Sequence, residues 1–121
     1  MEHEISGMFD RVAHGAELSV LFPAWARYVC KHDYARFAQF AVNVWDIAPG
    51  NSDEETAYAG IAAAKAFFKP LDIPTSLADL DIGEESIEPM AAQAFAARET
   101  MGFFTPIRKE DMIAIFKLAA K

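Results

Sequence analysis

The sequence predicts an all-α fold, a single multi-helix bundle, and three observations carry that prediction. Alanine, leucine-like and aromatic residues recur at spacings of three and four along almost the whole chain, the period of helices that each bury one face. Strict apolar–polar alternation, the mark of a half-buried strand, is absent. Proline and glycine fall between the periodic segments, at Pro49-Gly50, at Pro70 and Pro74, and at Gly102 and Pro106, where they separate helices without forming a linker. With 121 residues, 53% of them apolar and ten of them Phe, one domain spanning 1–121 can build a sizeable core.

The first helix should run from the start of the chain to Met8 or Phe9, with residues 10–13 as a short connection. A second helix begins near His14 or Gly15 and continues to about residue 31, with Leu18, Leu21, Phe22, Trp25, Val29 and Cys30 on a broad apolar stripe. Pro23 lies in its interior and removes one backbone donor, so a kink is expected over residues 19–23. Asp33 can cap a third helix in which Phe37, Phe40, Ala41 and Val44 share a face, ending around residues 45–47 before Pro49-Gly50. A fourth runs over residues 53–69, with Glu54 and Glu55 placed to complement the positive end of the helix dipole, and stops at Pro70. Ser76 and Asp79 have capping-box spacing and predict one short helical turn. A fifth long helix is expected over residues 84–100, with Pro89 in its first turn and Gly102 at its end. The last spans residues 109–119, its apolar positions being Met112, Ile113, Phe116 and Leu118.

Composition excludes some functions. A formal charge of −7 leaves no basic footprint for a phosphate backbone or an anionic membrane, so neither nucleic acid nor membrane is expected as a partner. The Met-Glu-His-Glu opening lacks a basic n-region and an apolar h-region, and the apolar segment 58–68 is short and carries Lys65. A cytoplasmic location is the expectation. Cys30, the single cysteine, sits beside an apolar run and reads as a buried thiol.

Few residues offer chemistry. His3 and His14 lie eleven positions apart at the mouth of the first helix-turn-helix, where two imidazoles facing one cavity could bind a metal or relay protons. Two histidines alone fall short of a metal site, which normally needs three or four convergent ligands. His3-Glu4-Ile5-Ser6-Gly7 begins like a zincin helix, but Gly7 stands where that motif requires its second histidine. No Gly-x-Gly-x-x-Gly and no Walker loop is present to cradle a pyrophosphate. The acidic groups Asp53-Glu54-Glu55 and Glu84-Glu85 stand at helix starts, where electrostatics alone explains them, and His32 beside Asp33 reads as a solvated or capping histidine.

Longer blocks carry more information. Met1-Glu2-His3-Glu4-Ile5-Ser6-Gly7-Met8-Phe9-Asp10, then Val12-Ala13-His14-Gly15-Ala16, then Leu21-Phe22-Pro23-Ala24-Trp25-Ala26-Arg27-Tyr28-Val29 resemble the iron-containing alcohol dehydrogenases, in particular the branch of NADH-dependent butanol dehydrogenases. Residues 35–45, the Asp-Glu-Glu-Thr start at Asp53, Phe67-Phe68-Lys69 before Pro70, and Lys109-Glu110-Asp111 continue the likeness to the end of the chain.

The resemblance implies the C-terminal helical domain, of dehydroquinate synthase-like fold, of a two-domain enzyme whose Rossmann-like N-terminal half holds NAD(P). A divalent metal, iron foremost and zinc as the alternative, would lie between the halves, held by one aspartate and three histidines, and would serve the interconversion of aldehydes and primary alcohols. His14, in the His-Gly motif, matches the last metal ligand. His3 is similar to a further active-site histidine near substrate and nicotinamide. The other three ligands would precede Met1, so this chain by itself is expected to hold neither metal nor cofactor tightly and to be inactive. Its expected partners are the missing half and, through apolar surface, a second copy in a homodimer. An alternative is a free-standing helical association module derived from that domain. Two departures stand out: Glu17 replaces the glycine that follows His-Gly-Ala in the family, and residues 10–13 are one longer than its pattern.

Overall fold

The computed structural model describes all residues 1–121. Six α-helices follow in order: α1 (Glu2–Met8), α2 (His14–Val29), α3 (Tyr34–Trp45), α4 (Asp53–Phe68), α5 (Ile87–Ala94) and α6 (Lys109–Ala119). Short 3₁₀ turns lie at Cys30–His32, Lys69–Leu71, Ala78–Leu80 and Glu84–Ser86. The bundle is all-α, as its periodicity predicts; the sole strand-like feature is an isolated antiparallel bridge between Met101 and Ile107.

Local chemistry sets several helix ends where the sequence places them. The Asp33 carboxylate accepts from the Arg36 backbone N–H at 3.0 Å and starts α3. Ser52 accepts from the Glu55 N–H at 3.1 Å and starts α4. Ser76 and Asp79 form the reciprocal cap, Asp79 N–H to Ser76 Oγ at 3.2 Å and Ser76 N–H to an Asp79 carboxylate oxygen at 3.0 Å. Helix α2 is continuous through Pro23. It ends at Val29, two residues before the predicted end, and the chain tightens into the 3₁₀ turn that carries Cys30.

The fifth helix departs most from expectation. It spans Ile87–Ala94 and not residues 84–100. Residues 96–100 are helix-forming in composition but fully on the surface, so no buried stripe holds them helical. Ile107, 3% exposed, is anchored in the core instead, and its backbone exchanges hydrogen bonds of 2.8 and 2.9 Å with Met101 across a loop in which Gly102 takes φ +93°. Two surface corrections follow the same logic: Val44 and Leu118 face solvent, while Ala38 and Ile115 join Phe37 and Ala41 of α3 and Met112 and Phe116 of α6 as buried residues.

Helices α3 and α4 pack most extensively, α2 lies against α4 and α6, and α5 packs on α6. Phe116, Met112, Ile115, Leu77 and Met90 are fully buried at the centre. The Leu77 N–H donates to the Ala119 carbonyl at 2.8 Å, which satisfies an open carbonyl at the end of α6 while its side chain enters the core. Helix α1 is held against α2 and α5 by its one buried residue, Ile5. No helix is long and apolar enough to cross a membrane.

Candidate functional site

The two histidines singled out by sequence come together. His3 on α1 and His14 at the start of α2 stack with ring centroids 6.1 Å apart and planes 15° from parallel. The connection between them is short and tied down: Val12 is buried, its N–H donates to the Phe9 carbonyl at 3.0 Å, and Arg11 reaches the Leu80 carbonyl at 2.8 Å. Both imidazoles are open to solvent, with side chains 80% and 59% exposed.

Beneath them lies a residue whose role the sequence left open. Glu17 is completely buried. One of its carboxylate oxygens accepts from the Ser6 hydroxyl, and the other lies 3.2 Å from His14 Nδ1. Serine and histidine thus face opposite ends of one carboxylate. Because the imidazole does not stand between hydroxyl and carboxylate, the arrangement is no nucleophile relay.

An apolar strip extends from the histidine pair. Leu18 and Phe22, one turn apart on α2, are 45% and 36% exposed. They line two adjoining grooves: one begins at Gly15, next to His14, and runs to Phe68 and Pro74; the other begins at Met1 and Glu2, next to His3, and runs to Trp25. A separate cleft between α2, α4 and α6 gathers Arg27, Lys65 and Lys69 around Tyr58, and burial together with Lys69 holds the Lys65 ammonium below its ordinary pKa. Only the i,i+4 pair Lys65 and Lys69 hinted at it in the sequence.

Cys30 is a core residue, its thiol pushed up in pKa by burial. The acidic clusters at Asp53 and Glu84 occupy first turns of helices, and no group of three or more His, Cys, Asp or Glu side chains converges on a point. Within these residues the available donors near the open face are the two exposed imidazoles, fewer than the three or four ligands a protein metal site normally gathers.

The class the structure defines is an all-helical domain with a stacked histidine pair beside an open apolar strip, and comparison with known proteins gives its family. The Fe-containing alcohol dehydrogenase C-terminal domain matches residues 1–120, and the chain belongs to that family. It is 39% identical over 118 residues to a probable NADH-dependent butanol dehydrogenase 1 of Bacillus subtilis, and 36% identical over 119 residues to NADH-dependent butanol dehydrogenase A of Clostridium acetobutylicum; each match covers 97% of this chain and 30% of the relative. The crystal structure of NADH-dependent butanol dehydrogenase A from Thermotoga maritima superposes with a TM-score of 0.89 at 33% identity, over 99% of this chain and 31% of that one. The chain thus spans about 30% of the length of the curated relatives it matches.

Proposed function

We propose that this chain is the metal-side helical domain of an NAD(P)H-linked alcohol dehydrogenase that interconverts aldehydes and primary alcohols such as butanal and butanol. The single observation that carries the reading is the stacked, solvent-open pair His3 and His14 on the apolar face of a domain of this family. A divalent metal held there, iron foremost, would supply Lewis-acid polarisation of a carbonyl, and a nicotinamide would supply hydride. His14 would provide one imidazole donor. His3, one ring away, would sit beside substrate, where an imidazole can exchange a proton with the alcohol oxygen. Leu18 and Phe22 would meet the Rossmann-like half, whose closure over the histidines excludes water.

The chain alone contributes one ligand and no pyrophosphate cradle, so it should not turn over aldehyde by itself. The same exposed strip at Leu18 and Phe22 supports a second reading, an association module that buries this face against another copy of itself.

The test is anaerobic NADH and NADPH consumption with butanal and ferrous iron, for the chain alone and with a separately produced nucleotide-binding half of a relative. Turnover restored by the added half and abolished by His14→Ala is the expected result. Turnover by the chain alone, or restored turnover indifferent to His14→Ala, would overturn the proposal. No restoration, together with a concentration-dependent dimer, would favour the association module.

A further inference from the structure

Glu17 is a completely buried carboxylate with no lysine or arginine paired to it, and a glycine is what the family resemblance leads one to expect at its position. Its surroundings explain its orientation. Ser6 reaches across from α1 and donates to one carboxylate oxygen, which turns the other toward His14 Nδ1, one helical turn earlier on α2, at 3.2 Å. Two helices are thus needed to aim a single oxygen at a single ring nitrogen.

An imidazole nitrogen that faces a carboxylate oxygen at this distance carries the hydrogen, because two lone pairs directed at one another repel. With hydrogen on Nδ1, the other nitrogen, Nε2, keeps its lone pair. The His14 side chain is 59% exposed while Glu17 is not exposed at all, so the carboxylate approaches the ring from the protein side and leaves the opposite nitrogen to the open face. Metal-bound histidines are commonly held this way, the second nitrogen donating to a carboxylate that sets tautomer and ring orientation.

We propose that Glu17, braced by Ser6, is a positioning residue that holds His14 in the Nδ1–H tautomer and presents a free Nε2 lone pair to the apolar face, as a donor for a divalent cation. This rests on the proposed role of His14 as a ligand. It adds a device that the histidine itself does not contain: a neutral imidazole in water favours hydrogen on Nε2, the tautomer that would offer the wrong nitrogen.

Nitrogen-15 correlation spectra of the histidine rings, recorded on the metal-free 121-residue chain at about pH 8, well above the ordinary histidine pKa of about 6.5, test the device directly. His14 is assigned by loss of its signals in His14→Gln. His3, which faces Glu2 and not Glu17, is the internal reference. The expected result is a majority Nδ1–H form at His14 in the wild type and a majority Nε2–H form in Glu17→Ala. A purely structural role for Glu17 would not switch one ring's tautomer while leaving the other unchanged. A majority Nε2–H form in the wild type, or the same His14 tautomer in Glu17→Ala as in the wild type, would overturn the proposal. Should Glu17→Ala not fold, the wild type and Ser6→Ala still decide: the wild type must show a majority Nδ1–H form, and loss of the Ser6 brace must lower its share. The measurement contains no metal or cofactor, so its failure counts against Glu17 alone, whereas failure of the complementation assay counts against His14 as ligand.

Discussion

Gly60 on α4 and Ala41 on α3 are in contact at backbone level: a Cβ built on Gly60 would stand 2.6 Å from the Ala41 Cα and would overlap the Ala41 methyl. Gly60→Ala gains about 1 kcal/mol of helix propensity. It also forces apart the most extensive helix pair in the bundle, and overpacking of this kind costs about 1–3 kcal/mol. Since the obstacle is main chain and cannot rotate aside, net destabilisation is expected. Urea unfolding with unchanged or raised stability would show that α3 and α4 can separate freely.

Tyr28 and Asp111 join α2 to α6 through a hydrogen bond of 2.6 Å from hydroxyl to carboxylate. That bond, with the Arg108 N–H, holds the Asp111 carboxyl below its usual range, and the same bond, with burial, raises the Tyr28 hydroxyl above its own. A depressed carboxyl pKa contributes stability above the unfolded value of about 3.9 and loses it as pH falls through the folded value; a raised tyrosine pKa contributes stability below about 10 and loses it as pH rises. Tyr28→Phe should therefore cost about 1 kcal/mol at neutral pH, and less as the pH drops below about 4. A penalty that stays constant into acid would mean the carboxylate is not the partner that matters.

Ile5 is the anchor of α1. A seven-residue helix is far too short to persist undocked, so Ile5→Ala should free α1 locally while the rest of the bundle stays folded. Hydrogen exchange should show lost protection at the amides of residues 5–9, accompanied by loss of the His3–His14 stacking. Unchanged protection there would show that α1 is held by something other than Ile5.

Leu18 is the exposed centre of the strip beside His14. Leu18→Asp should leave folding stability within about 0.5 kcal/mol, as for ordinary surface substitutions; on the association reading it should also remove a concentration-dependent dimer in sedimentation experiments. Equal association by both proteins would place the self-contact on another face.

Cys30 is fully buried and its thiol is raised in pKa. It should resist an aromatic disulfide reagent in the native protein and react stoichiometrically in denaturant. Fast native labelling would indicate that the 3₁₀ turn at Cys30–His32 opens readily.

Much of the fold was legible because it was written locally. Asp33 and the Ser76/Asp79 pair each announce a helix start through a side chain that satisfies backbone donors within three residues, and the structure keeps both. Residues 96–100 misled because their composition favours helix, whereas the deciding interaction is burial of Ile107, several residues further on. Among candidate site residues, His3 and His14 were found from their spacing and from the family likeness. The cationic cleft of Arg27, Lys65 and Lys69 was not, since Arg27 on α2 lies far in sequence from the neighbouring pair Lys65 and Lys69.

Sequence by itself determined the all-helical class, most of the helix starts, the family and the two histidines as candidates, because periodicity, caps and motif spacing are properties of neighbouring residues. Only the tertiary structure decided what Glu17 does. As a departure from the motif it was a carboxylate close to His14, able to alter the site in a way its position in the sequence does not specify. Docking α1 onto α2 closes Ser6 over it, withdraws the carboxylate from water and aims it at His14. Burial and direction depend on how two helices meet, and no pattern within either helix encodes them.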